Sequence, residues 1–252
     1  MRQFITLFKK DLTELWRTKK VLILAIVFVI FALSSPLIAE MTPALLESLG
    51  DAVQITMPDP TINDSYDQFV KNIGQLGVFT MIIVFGGLIA NEKKRGLYTT
   101  LRNNGVNKFN FIFSKIVSQL LVLTVIYGIS VLIFSLYNSI IFDQLFVEYS
   151  WLSFLAFYVY LVFVICLTNF FSAISKNSLV AILLAIGVVI SLAILDLFEF
   201  GKYAPNYLMS ISLGILGDNS FLDYAWKNIL ITSALSTILI AISVKTLNNK
   251  ES

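Results

Sequence analysis

Six apolar runs, near residues 21–40, 72–90, 109–137, 150–175, 179–197 and 226–245, dominate this sequence. Each is close to or above the roughly 20 residues with which a helix crosses the hydrocarbon of a bilayer. Backbone polar groups in lipid must be satisfied inside the spanning segment, so such runs predict helices. The fold class expected is an all-α membrane protein with six transmembrane helices. The composition agrees: 57% of the 252 residues are hydrophobic and 13% charged, and the mean hydropathy is +0.82. A soluble domain is nearer about half apolar and a quarter charged. The third run is longer than a bilayer requires, which predicts tilt or projection beyond it, with Lys115 reaching toward the headgroups.

The charges are sorted by side. Arg2, Lys9, Lys10, Arg17, Lys19, Lys20, Lys93, Lys94, Arg95, Arg102, Lys108, Lys115, Lys176, Lys245 and Lys250 fall on one side of the six runs, against Lys71, Lys202 and Lys227 on the other. Acidic residues such as Glu40, Asp59, Asp64, Asp143, Asp196 and Asp223 collect on the basic-poor side. Positive charge is retained in the cytoplasm, so both termini are expected there, in a multi-pass protein of the plasma membrane. An odd number of spans would scramble this segregation. The net charge of +2 is too small to suggest nucleic acid.

The first 20 residues are a separate element. Phe4, Ile5, Phe8, Leu12, Leu15 and Trp16 fall on one helical arc of roughly 120°, with Arg2, Lys9, Lys10, Thr13 and Arg17 away from it, which predicts a basic amphipathic helix lying at the interface. About 20 mixed residues before the first apolar run do not read as a cleavable signal. Two loops on the basic-poor side are long. Residues 41–71 carry the turn-rich Met57-Pro58-Asp59-Pro60 and the polar Asn63-Asp64-Ser65-Tyr66. Residues 198–225 carry Gly201, Pro205, Gly214 and Gly217 among apolar residues, which suits a re-entrant helical segment or, alternatively, a loop lying flat on the surface.

Several chemistries are missing. There is no histidine, and the one cysteine, Cys166, sits in an apolar run, so no metal site of His and Cys, no internal disulfide and no His-based catalysis is expected. No catalytic residue is assigned. No segment matches the phosphate-cradling G-x-x-x-x-G-K-[ST], so no ATP-binding cofactor site is expected in this chain. No Asp or Glu lies mid-run to carry a coupling proton or sodium. Energy would then enter mechanically from another chain, or none is used. The polar residues of the runs are uncharged; helix packing accounts for most of them, and Ser118, Thr168 and Asn169 are the candidates for a mildly polar substrate path.

The loop after the second run reads Asn91-Glu92-Lys93-Lys94-Arg95-Gly96-Leu97-Tyr98-Thr99-Thr100-Leu101-Arg102-Asn103-Asn104-Gly105-Val106-Asn107-Lys108. A charged start, a glycine, a short helical stretch and a second glycine predict a helix held crosswise at the membrane surface. This loop resembles that of the permease subunit of type-2 (ABC-2) ATP-binding-cassette exporters, in which an acidic residue, basic residues, Gly-Thr and a leucine-containing helix follow the second span. Glu92, Arg95, Gly96, Leu101, Lys108 and Lys115 match that pattern; Leu97 departs from the usual Thr and Gly105 from the usual Pro.

The resemblance covers the whole chain as a single transmembrane domain. It implies that residues 91–108 form the cytoplasmic coupling loop docking on a separate ABC ATPase subunit, which binds ATP and Mg. Glu92, Arg95, Gly96, Leu97, Leu101 and Arg102 would carry that contact, and Phe8, Leu12 and Trp16 would add to it. Glu92 would pair locally with Arg95 or cap the short helix, and Leu97 and Leu101, one turn apart, would form its apolar docking face. It implies a homodimer or heterodimer of permease halves exporting a peptide, lipid or drug of amphiphilic or hydrophobic character from a bacterial cell. The alternative is a stand-alone immunity or channel-like membrane protein without ATP coupling.

Overall fold

The computed structural model describes residues 2–49, 59–196, 198–218 and 220–247. Its helices are α1 (Arg2–Arg17), α2 (Lys20–Leu49), α3 (Ile62–Asn72), α4 (Val78–Phe85), α5 (Leu88–Lys94), α6 (Leu97–Asn103), α7 (Lys108–Ile141), α8 (Ser150–Ile174), α9 (Ser178–Leu195), α10 (Tyr207–Gly214) and α11 (Ser220–Thr246). Six stretches are long and apolar enough to cross a membrane: Lys20–Ala44, Ile62–Lys94, Lys108–Ile141, Ser150–Ile174, Ser178–Leu195 and Ser220–Thr246. The chain is thus an all-helical, multi-pass membrane protein.

Helix α8 is the hub, packing against α4, α5, α7, α9, α10 and α11, while α2 packs on α3 and α7. Both ends of the described chain meet at one end of the bundle: Leu247, just past α11, joins Ile89, Tyr98 and Phe111 in a buried cluster beside α6. We call this the basic end. At the opposite end α3 begins, α7 finishes and α8 begins.

Three boundaries differ from the sequence reading, one of them the start of the sixth span, at Ser220 rather than near 226. The first span does not stop near residue 40; α2 runs on to Leu49 through Pro36 and Pro43, which transmembrane helices tolerate when neighbours re-satisfy the freed groups. The second begins at Ile62, not near 72. Thr61 donates from both its backbone N and its Oγ1 to Asp64 Oδ2, each at 2.8 Å, so the polar stretch read as loop is a capped helix start. Its inward stripe of Ile62, Tyr66, Phe69, Val70 and Ile73 is buried. A π-helical turn, Ile73–Gly77, then carries the chain into α4. Gly74 lies there against α10, where a Cβ would stand 2.7 Å from the Met209 sulfur.

Helix α10 resolves the apolar, glycine-broken segment before the last span. Leu208, Ile211, Ser212 and Ile215 are buried, and Ser153 and Ser212 exchange hydroxyl–carbonyl hydrogen bonds of 2.7 and 3.0 Å. The segment is a short helix packed into protein beside α8, α11 and α3. Met57, Pro58 and Lys250 lie outside the described residues.

Candidate functional site

Of the residues singled out in the loop after the second span, Glu92 joins a charged cluster at the basic end. Glu92 sits in α5, Lys115 in the third turn of α7, and Lys10 and Asp11 in α1. Lys115 Nζ lies 3.0 Å from Asp11 Oδ1 and 2.9 Å from Glu92 Oε2. Lys10 binds Glu92 directly and lies 3.5 Å from Asp11 and 3.8 Å from Glu14. Ser114 donates to the second Asp11 oxygen at 2.8 Å. Lys115, Glu92 and Asp11 are 2%, 4% and 5% exposed, so these are ion pairs removed from water. Such charges are costly to bury and persist only when each has its partners, so removing one leaves the others uncompensated.

Helix α1 brings Asp11 here because Leu7, Asp11 and Leu15, four residues apart, share its buried face. Aromatic stacking sets the same helix along α7: Phe8 on Phe4 at 6.1 Å, Phe4 on Phe113 at 5.7 Å, Phe113 on Phe109 at 5.0 Å. Burial alone would lower the Lys10 pKa, but the hydrogen bond and charge of Glu92, with Asp11 and Glu14, outweigh it and hold Lys10 above its ordinary value.

Asp11, Glu14 and Glu92 bring oxygens within 4.8 Å of one another, a spacing that suits a cation. The Lys10 and Lys115 ammoniums already fill that role. Sequence reasoning missed Asp11, Lys10 and Ser114 as members of this cluster. The signal available was an acid at the centre of an otherwise apolar helical stripe.

The loop is tied to α8 as well. Ser172 Oγ accepts from the backbone N–H groups of Ile89 and Ala90, both at 3.1 Å, and Lys93 Nζ donates to the carbonyls of Ala173 and Ser175 at 2.6 and 3.1 Å. One turn beyond Lys115, Gln119 and Asn169 exchange amide hydrogen bonds of 3.2 and 2.6 Å between α7 and α8. Four helices, α1, α5, α7 and α8, are thereby fastened at one level.

Three expectations are corrected. Glu92 neither pairs with Arg95 nor caps α6; it lies in the preceding helix and binds two lysines from other elements, because its side chain points into the bundle while Arg95 is exposed. Lys115 does not reach toward headgroups but is buried between two carboxylates. Leu97 and Leu101 do not form an outward apolar face: Leu101 packs on the buried Ile89–Tyr98–Phe111 cluster, Leu97 is half-buried, and α6 presents Thr99, Thr100, Arg102 and Asn103 instead.

Gly96 has φ +70° with nothing within 4 Å of a would-be Cβ, so backbone conformation rather than crowding explains it. Phe8 stacks on Phe4 of its own helix, Leu12 packs on the core, and Trp16 is 74% exposed. Ser118, Thr168 and Asn169 are buried: Ser118 bonds the Lys115 carbonyl, Thr168 the Val164 carbonyl and Asn169 Gln119. Only Asn169 joins two helices; the hydroxyls of Ser118 and Thr168 are taken up by carbonyls of their own helices.

No family model matches the chain. It is similar to the uncharacterized transmembrane protein YxlG of Bacillus subtilis (strain 168), at 25% identity over 118 residues, 46% of this chain and 46% of that one. The match thus spans less than half the length of either protein.

Proposed function

We propose that this chain is the permease half of an ATP-driven exporter for amphiphilic or hydrophobic molecules, with its basic end in the cytoplasm and a separate ATPase docked on α6. The observation that supports this reading best is the buried cluster of Lys10, Asp11, Glu92 and Lys115. It joins α5, and through it the adjoining α6, to α1 and to the long span α7, while Ser172 and Lys93 extend the link to α8. A push on α6 therefore reaches three spanning segments as one unit rather than dissipating in a loose loop. The docking face would be polar and cationic, with Thr99, Thr100, Arg102 and the flanking Arg95, and would suit an acidic groove on the ATPase. A second permease half, identical or related, would cover the exposed faces of the bundle.

A photo-crosslinking residue placed at Thr99, in cells of the protein's source, tests this. The expected adduct is a protein with a phosphate-binding loop whose ATP hydrolysis co-purifies with this chain. Crosslinking from Thr99 to no such protein, or only to lipid, would favour the stand-alone membrane protein.

A further inference from the structure

On one side of α1 the bundle leaves an apolar groove of about 430 Å³ between Leu12 and Trp16 of α1, Val21 of α2, and Leu121, Val122 and Val125 of α7, with Thr13 and Arg17 at its mouth. On the other side of Thr13 and Arg17 lies a second depression of about 470 Å³, lined by Lys9, Lys10, Glu14 and Thr18. The two share Thr13 and Arg17, so an apolar slot opens onto a cationic rim. Lys10 is taken up by the buried carboxylates; Arg17 and Lys9 are exposed and form no ion pair among the described residues. Val125 and Leu121 are 53% and 44% exposed, which leaves the slot open to the lipid-facing side of α7.

We propose that this groove binds one anionic phospholipid of the leaflet at the basic end. An acyl chain would lie along Leu121 and Val125, and the phosphate would be held by Arg17 with Lys9 nearby. The argument for this occupant is charge complementarity: the slot is apolar along Leu121, Val122 and Val125, carries Arg17 and Lys9, unpaired among the described residues, at its edge, and lies where α1 packs against the spanning helix α7. Guanidinium geometry matches phosphate oxygens bidentately, and an exposed tryptophan beside the slot suits the headgroup boundary. The inference rests on the membrane-spanning fold alone, independently of any ATPase.

The test uses Trp16 as its own reporter. The other tryptophans, Trp151 and Trp226, sit against each other with ring centroids 6.4 Å apart, near the starts of α8 and α11, and are replaced by Phe. The full chain in mixed micelles is then titrated with phosphatidylglycerol or phosphatidylcholine brominated on the acyl chains. Phosphatidylglycerol should quench Trp16 at about fivefold lower mole fraction, the preference expected for one basic residue near an anionic surface. Arg17→Gln should abolish most of that preference, and Val125→Phe should weaken quenching by both lipids. Equal curves for the two lipids would overturn the proposal. So would a preference untouched by Arg17→Gln, which would mean diffuse attraction to a basic surface, or quenching untouched by Val125→Phe.

Discussion

At the basic end, four charges from α1, α5 and α7 hold the helices together. At the opposite end, Tyr66, Phe69, Phe134 and Phe154 do so, with Phe69 and Phe134 stacked at 4.4 Å and Tyr66 edge-on to Phe134 at 5.0 Å, and with Ser65 donating to Asn138 at 2.7 Å. The difference lies in how each end fails. Aromatic packing loses contacts gradually as atoms are removed. An ion cluster is all-or-none, because any deleted partner strands a buried charge. The end proposed to receive movement is thus the end whose helices must move together or come apart.

Lys115→Met should have the largest effect. It leaves Asp11 and Glu92 without their buried cation, with only the half-exposed Lys10 between them, and should cost about 3–5 kcal/mol, read as a loss of detergent-solubilised melting temperature. Phe134→Ala at the other end should cost less, about 3 kcal/mol, at the low end for such truncations because lipid solvates the freed apolar surface. If Phe134→Ala is the more damaging, the contrast between the two ends is wrong.

Gly96→Val should cost about 1–2 kcal/mol through its left-handed backbone, whereas Gly96→Asn should be nearly silent. Equal damage by both would mean that space, not φ, matters there.

The smallest effect is that of pH on Lys10. Its pKa is raised above the ordinary 10.5, so its stabilising contribution is fully present below that value and is lost as pH rises through the higher folded one. Melting temperature should stay flat with respect to this group from neutral pH to about 10 and fall above it, and the fall should be shallower in Lys10→Met. A parent and variant with the same alkaline slope would remove Lys10 from the cluster.

The spans were legible because their signal is one of length, and the shared side of the two chain ends because charge is sorted along the sequence. Gly96 was legible as the glycine that precedes a short helix. The first turns of α3 were not: Asn63, Asp64 and Asp67 make them read as loop, although Ile62, Tyr66, Phe69 and Ile73 keep a helical spacing beneath. The charged cluster was illegible for a different reason. Each member sits alone in its own stripe, Asp11 between Leu7 and Leu15, Lys115 between Phe111 and Gln119. Only the packing of α1 along α7 reveals that the isolated charges answer one another. The sorting of positive charge to one side hid that Lys10 and Lys115 have interior partners.

The most direct test of the account is to neutralise the three buried charges of the cluster together, leaving only the half-exposed Lys10, which keeps Glu14 beside it. In Asp11→Asn/Glu92→Gln/Lys115→Met no buried charge of that triad remains, and replacement of a buried ion pair by neutral groups of similar volume is often tolerated. The quantity to measure is ATP hydrolysis by the ATPase that crosslinks at Thr99, alone, with the parent chain and with this variant in the same membranes. The account predicts that the variant folds and still binds the ATPase through α6, but no longer alters its hydrolysis rate as the parent does. A folded variant that changes the rate as the parent does would show that movement reaches the spans by another route, and would contradict the account.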